Sequence, residues 1–360
     1  MKAKPFFQKN HLWLTGGLFW AFVAFWFVWP PSNAAVENDF SREWYPWVLG
    51  VMTPATQWFS FPLVLLLLAA FLVWCGIAGC RCWTRASFAK CIWRALKWLF
   101  WLFPLLVTWG TVFWGAGYRR LPAEERLQLD TRPISSREES ELRVLLLDTI
   151  KRNAATSERR DADIAISAIA VAMQNVVSQW NGRPLDLPWR VKTVPTGLLL
   201  RGSTSGVCSP FTLEALVDGG LPDTALVYTA AHELGHLAGF CSEAEASFLG
   251  YIAGLQAGDR FARYACALAA YMDLIRQLEG PGLKAALDAL PMIARQDLQA
   301  IDNAYQRYQI EWISRIGWKT YNRYLKAQGI QEGIGNYSRG ISLFSYAWRQ
   351  GISGTSGMFR

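Results

Sequence analysis

The segment Thr229-Ala230-Ala231-His232-Glu233-Leu234-Gly235-His236-Leu237-Ala238-Gly239 decides how this chain is read. Two of the chain's three histidines fall four residues apart, with a glutamate directly after the first. On an α-helix, positions i and i+4 share a face, so both imidazoles can reach one metal ion. Glu233 then stands beside that ion, placed to take a proton from a bound water. This is the H-E-x-x-H arrangement of zinc hydrolases. The competing account is a pair of core histidines in an alanine-rich helix. With so few histidines, that coincidence arises on the order of once in a thousand chains of this composition.

A catalytic zinc takes three protein ligands and keeps one open position. Gly239 is suited to close the helix in a left-handed cap, and Ser242 to start the next one. Glu243 then falls in the first turn of that second helix, close to the histidines, and is the expected third ligand. Glu245 is the alternative. It lies three after Ser242, where a capping box would use it, while Glu243 has its own bland reading, since acids favour the first turn of any helix. Whichever glutamate does not bind metal is placed to orient a histidine from behind. The remaining histidine, His11, belongs to the other side of a membrane.

That membrane follows from the first third of the chain. Fourteen of 19 tryptophans precede residue 115, and three uncharged apolar runs stand there: Leu12 to Trp29, Phe59 to Ala78 and Trp98 to Gly117. A helix needs about 20 residues to cross the hydrocarbon core, so all three read as transmembrane helices. The first is too long for the apolar core of a cleaved signal peptide. Of nine basic residues before position 118, eight lie on one side: Lys2, Lys4, Lys9, Arg81, Arg85, Lys90, Arg94 and Lys97. The positive-inside rule puts them in the cytoplasm and residues 118–360 on the outer, periplasmic face of the cell membrane. This membrane part carries +6 of the +8 formal charge. The rest is nearly balanced and has no basic footprint for nucleic acid.

Cysteines divide likewise. Cys75, Cys80, Cys82 and Cys91 are expected reduced in the cytoplasm, where Cys80-Arg81-Cys82 lacks the partner pair of a zinc site. Cys208, Cys241 and Cys266 would face an oxidising space that permits one disulfide.

In the outer domain, Ser135-Ser136-Arg137-Glu138-Glu139 offers capping boxes to a helix carrying Leu142, Leu145, Leu146 and Ile150. A second helix is predicted from Asp163 to Trp180. Between Trp189 and Val217, apolar residues alternate with Gly, Ser, Thr and Pro, predicting short strands around Val191–Val194, Leu198–Leu200 and Phe211–Val217. An exposed edge there could hold an extended substrate across the metal. After Leu226 the chain reads as helical, with one long helix from Met292 to about Ala327. The fold class is a mainly α membrane protein: three spans at 1–117, then a mostly helical domain at 118–360 with a small β region before the H-E-x-x-H helix.

The run His232 to Phe240, with Ser242-Glu243-Ala244-Glu245-Ala246-Ser247-Phe248-Leu249, resembles an uncharacterised bacterial membrane family, domain of unknown function 3810. The resemblance extends to Gly206–Ala215, to Phe113–Arg119, to Tyr321–Lys326 and to Gly335–Arg339. It implies a zincin-like domain. The Glu-x-Glu-Ala step is also similar to the third-ligand segment of glutamate-type zincins, whose first glutamate binds metal; that implies Glu243. Where those peptidases often carry Asp or Asn after the alanine, Ser247 stands here, which leaves open the contact behind the histidine.

The expected function is therefore a membrane-anchored Zn2+ metallopeptidase. His232, His236 and Glu243 would be ligands, Glu233 the general base, and a peptide or envelope protein the substrate beside the lipid bilayer. Tyr337 and Arg339 are candidates for the donor that steadies the oxyanion. A second account is a zinc-stabilised sensor or scaffold that cleaves nothing, although such a site has no need of Glu233. Intramembrane proteolysis fits less well, because Thr224–Phe240 is interrupted by charge and too short to span.

Overall fold

The computed structural model describes residues 7–85, 87–154, 161–185 and 190–352. Lys2, Lys4 and Trp189, used above, lie outside these residues. The chain begins with α1 (Phe7–Val28) and a π-helical stretch (Val36–Trp44) that runs into α2 (Tyr45–Gln57). The helices α3 (Leu63–Arg85) and α4 (Phe88–Phe113) follow as a hairpin. Two segments, Leu63–Cys82 and Phe88–Phe113, are long and apolar enough to cross a membrane. In the first expected span, the apolar helix among the described residues covers Thr15–Val28 and is not one of these two. The other two are shifted from their expected limits. Pro62 precedes the start of α3, whose Leu63 and Val64 backbone N–H groups donate to Glu214 at 2.9 and 3.0 Å. The helix α4 stops at Phe113, and Gly115–Arg119 form a buried 3-10 turn.

Cys82 and Cys91 are paired across the α3–α4 turn with Cα atoms 5.7 Å apart, where reduced thiols were expected. The hairpin brings them within bridging distance. Cys208, Cys241 and Cys266 are buried and unbridged, each packed into the core from a different element.

The helical body consists of α5 (Ser136–Asn153), α6 (Ala162–Asn181), α7 (Asp223–Leu237), α8 (Glu243–Gln256) and α9 (Arg260–Ile275), then α10 (Gly280–Asp288), α11 (Met292–Tyr308), α12 (Glu311–Ala327) and α13 (Arg339–Arg349). Local signals start and stop several of these as expected. Ser135 and Glu138 complete a capping box on α5, and Gly182 closes α6 at φ +69°. The predicted long helix is broken at Gln309 and Ile310, whose extended backbone separates α11 from α12. The Ile310 N–H donates instead to the Arg201 carbonyl at 3.0 Å. That break lets α12 bring Trp318, Tyr321 and Tyr324 beside His232, His236 and Glu243.

The β region is one three-stranded sheet in the order β1 (Lys192–Val194), β3 (Glu214–Asp218), β2 (Gly206–Ser209). Strand β1 runs parallel to β3, and β2 antiparallel with Gly206 opposite Val217. The expected strand at Leu198–Leu200 is a turn leading into a 3-10 helix. The Asp218 carboxylate accepts from the N–H groups of Gly197, Leu199 and Leu200, which curls the segment.

Two buried charge clusters lock the apolar hairpin and its loop to this body. Lys192 pairs with Glu214 inside the sheet and donates to the carbonyls of Thr56 (2.7 Å) and Phe61 (3.2 Å). Removing one partner of such a buried pair costs about 3–5 kcal/mol, because the other charge is left alone. Glu37 accepts from Arg120 at 2.8 Å, and Arg120 lies over the Phe240 ring at 4.5 Å. Residues before the third apolar run are thus part of the core: Tyr45, Val48 and Leu49 are fully buried against it.

Candidate metal centre

The helix α7 is buried along its last turns, and His232, Glu233 and His236 are each less than a tenth exposed. Two of its C-terminal carbonyls, left over at any helix end, and that of Gly239 beyond it are taken up by three side chains from earlier in the chain. The Tyr45 hydroxyl donates to Leu237 O at 2.7 Å, Trp114 Nε1 to His236 O at 3.2 Å, and Arg120 to Gly239 O at 3.3 Å. Gly239 adopts φ +87° as expected, and a Cβ there would lie 3.0 Å from the Tyr45 ring. The chain therefore reverses sharply, and α8 returns with Glu243 facing the histidines.

Glu243 Oε2 lies 3.0 Å from His232 Nε2 and 3.3 Å from His236 Nε2. These three residues offer ligand atoms within 4.8 Å of one another and could hold a metal ion. The far side of each ring is held. His236 Nδ1 is 2.8 Å from the Phe240 carbonyl, which can only accept, so the neutral ring carries its proton on Nδ1 and turns the Nε2 lone pair inward. His232 Nδ1 is 3.1 Å from Ser247 Oγ. The serine thus fills the position whose contact the sequence left open.

Glu245 faces away. Its carboxylate accepts from the Ala123 N–H at 2.6 Å and from Arg126 at 3.0 Å, so it is neither near the histidines nor closing a capping box. Asn336 caps α8 instead: its Oδ1 accepts from the Ser242 hydroxyl and from the Ala244 N–H, both at 2.9 Å.

Glu233 projects into the same space. Its Oε2 is buried and finds no hydrogen-bond partner among the described residues. Burial, partly offset by the histidines, pushes its pKa up to about 7. Gly206 of β2 makes room for it, since a Cβ there would lie 2.7 Å from Glu233 Oε1. Burial works against charge on His236, yet Glu243 raises that ring to about 9. Glu243 itself, although buried, is held well below the usual carboxylate range by His236 and His232.

A cavity of about 410 Å³ opens over these groups. Its walls include β2 at Gly206–Cys208 and a set of aromatics that sequence reading did not assign to the site. The Tyr321 hydroxyl donates to Glu243, and Trp318 and Tyr324 stand on the same face of α12. Their three-residue spacing was the available signal, but core packing gives the same pattern. Tyr337 is brought in: its ring lies parallel to His232 at 6.0 Å, and burial together with the nearby Glu243 carboxylate raises its pKa. Arg339 is not, being held outside the cavity by Glu124 and Glu332.

A family model described as "Protein of unknown function (DUF3810)" matches residues 40–345. No curated protein and no solved structure gives a significant match.

Proposed function

The chain belongs to the DUF3810 family, and within that family we propose that it is a membrane-anchored zinc metallopeptidase. The observation that carries this reading is Glu233 Oε2, a buried carboxylate oxygen without a partner beside two histidines whose free nitrogens converge with Glu243. Burying such a group unpaired costs about 1–3 kcal/mol or more. A metal-bound water is the partner that would remove this cost. Two imidazoles and one carboxylate are also the donor set of catalytic zinc sites. Zinc held there would lower the pKa of its water toward about 7 and polarise a carbonyl oxygen.

The chain's own groups supply the rest. Glu233, poised near pH 7, takes one proton as the water oxygen bonds to the carbonyl carbon. It returns that proton to the amine nitrogen as the C–N bond breaks, so one water is consumed and a carboxyl and an amine are released. Burial and Glu243 raise the Tyr321 pKa, and Tyr337 lies well above its usual value for the same reasons. Both hydroxyls therefore stay protonated and able to donate; Tyr337, against the His232 ring, is the donor assigned to the developing oxyanion.

The open cavity argues against the alternative of a closed, purely structural zinc in a sensor or scaffold, which would leave no place for water. The test compares wild type with Glu233→Gln: the variant should retain the metal and lose peptide hydrolysis. Equal hydrolysis by both removes the peptidase reading.

A further inference from the structure

The cavity over the metal residues shares a wall with another. Trp114, Pro210 and Tyr324 line both it and an apolar cavity of about 350 Å³. The far side of this second cavity is Phe103, Leu106 and Val107, on the second half of α4. That helix is long and apolar enough to cross a bilayer, and among the described residues none that lines the cavity is charged. Strand β2 joins the two spaces. Its Gly206 end lies against Glu233, and Pro210, directly after its Ser209 end, enters the apolar cavity. Four residues at about 3.3 Å each make this a path of about 13 Å. β2 is also an edge of the sheet, available for backbone pairing.

We propose that the substrate is the extended juxtamembrane stretch of a membrane-embedded polypeptide. Its apolar end lies in the groove beside Phe103 and Leu106, and the following residues pair with β2 as they pass His232 and Glu233. The inference rests on the peptidase reading above. A soluble peptide has no use for a groove leading into the span, and an acyl chain has none for an edge strand.

The test uses the full chain in proteoliposomes, with photoreactive benzoylphenylalanine placed at position 106, 211 or 105. Leu106 and Phe211 line the groove, whereas Leu105, about 100° round α4 from Leu106, does not. The probe is a synthetic leucine-alanine transmembrane peptide of about 20 residues bearing a degenerate extended tail; the tail alone is the control. Positions 106 and 211 should capture the anchored peptide several-fold more than position 105, and should not capture the tail alone. Equal capture at 105 and 106 overturns the proposal. So does capture of bilayer lipid at 106 that the peptide fails to compete away, which would mean the groove holds an acyl chain.

Crosslinking needs no turnover. Preferential capture without hydrolysis of any probe would remove the peptidase reading and leave the path intact. Hydrolysis of the free tail with equal capture at 105 and 106 would do the reverse.

Discussion

Ser247 stands directly behind His232, its Oγ 3.1 Å from Nδ1 on the side of the ring away from Glu243. The residues fall 15 apart in sequence, on α7 and α8. A metal on Nε2 would leave Nδ1–H to donate to the serine, which would fix the tautomer and ring orientation. The close packing of the two helices makes this short side chain sufficient, since a Cβ on Gly235 would lie 3.0 Å from the Ala246 carbonyl.

Ser247→Ala should therefore weaken metal binding by about 10–100-fold, the usual effect of losing a residue that orients a ligand. Competition with a chelator of known zinc affinity measures it. An unchanged affinity would mean that packing alone orients His232.

Glu243→Ala and Glu245→Ala should part company. The first should lose the bound metal, about one per chain in wild type. The second should keep it but lose about 3–5 kcal/mol of stability, because Arg126 is left buried without that partner. Metal content of detergent-purified variants, with denaturant midpoints, reads both. Retention of metal by Glu243→Ala would reassign the third ligand.

Metal binding should release a proton at neutral pH. In the metal-free chain His236 titrates at about 9 against 6.5 for an ordinary imidazole, so at pH 7 the metal displaces its proton. Affinity should then rise with pH up to about 9. The same raised pKa stabilises the metal-free fold fully below pH 6.5, and this contribution is lost as pH rises through 9. Calorimetry in buffers of different ionisation heat counts the protons; none released at pH 7 would contradict this arrangement of charge.

Tyr337→Phe should lower kcat by about 100-fold with KM and metal content little changed, the pattern of a donor acting in the transition state. A change in KM alone would limit Tyr337 to holding the substrate.

Gly206→Ala should damage the site from the sheet side. The added methyl would meet Glu233 Oε1 and Thr229 Cγ2, each at 2.7 Å, and the strain of such overpacking is about 1–3 kcal/mol. Thermal unfolding and hydrolysis should both fall; a variant with wild-type values in both would show that β2 can move freely away from α7.

Much of the fold and the centre of the candidate site were legible in the sequence, and what was legible is local. The i, i+4 histidines with Glu233 between them, the Gly239 reversal, the Ser135 capping box and the two long apolar helices depend on residues within a few positions of one another. Backbone geometry turns such spacings directly into shared helix faces and caps. Tertiary structure decided what depends on partners far along the chain. It separated Glu243 from Glu245 by giving the latter to Ala123 and Arg126, about 120 residues away. It capped α8 with Asn336, broke the long helix so that Tyr321 reaches Glu243, and folded Val36–Gln57 under α7. Each of these choices matches a buried polar group with one of several chemically equivalent candidates. Burial makes an unpaired group costly and so forces a match, but only the packed positions of the helices determine which candidate is within reach.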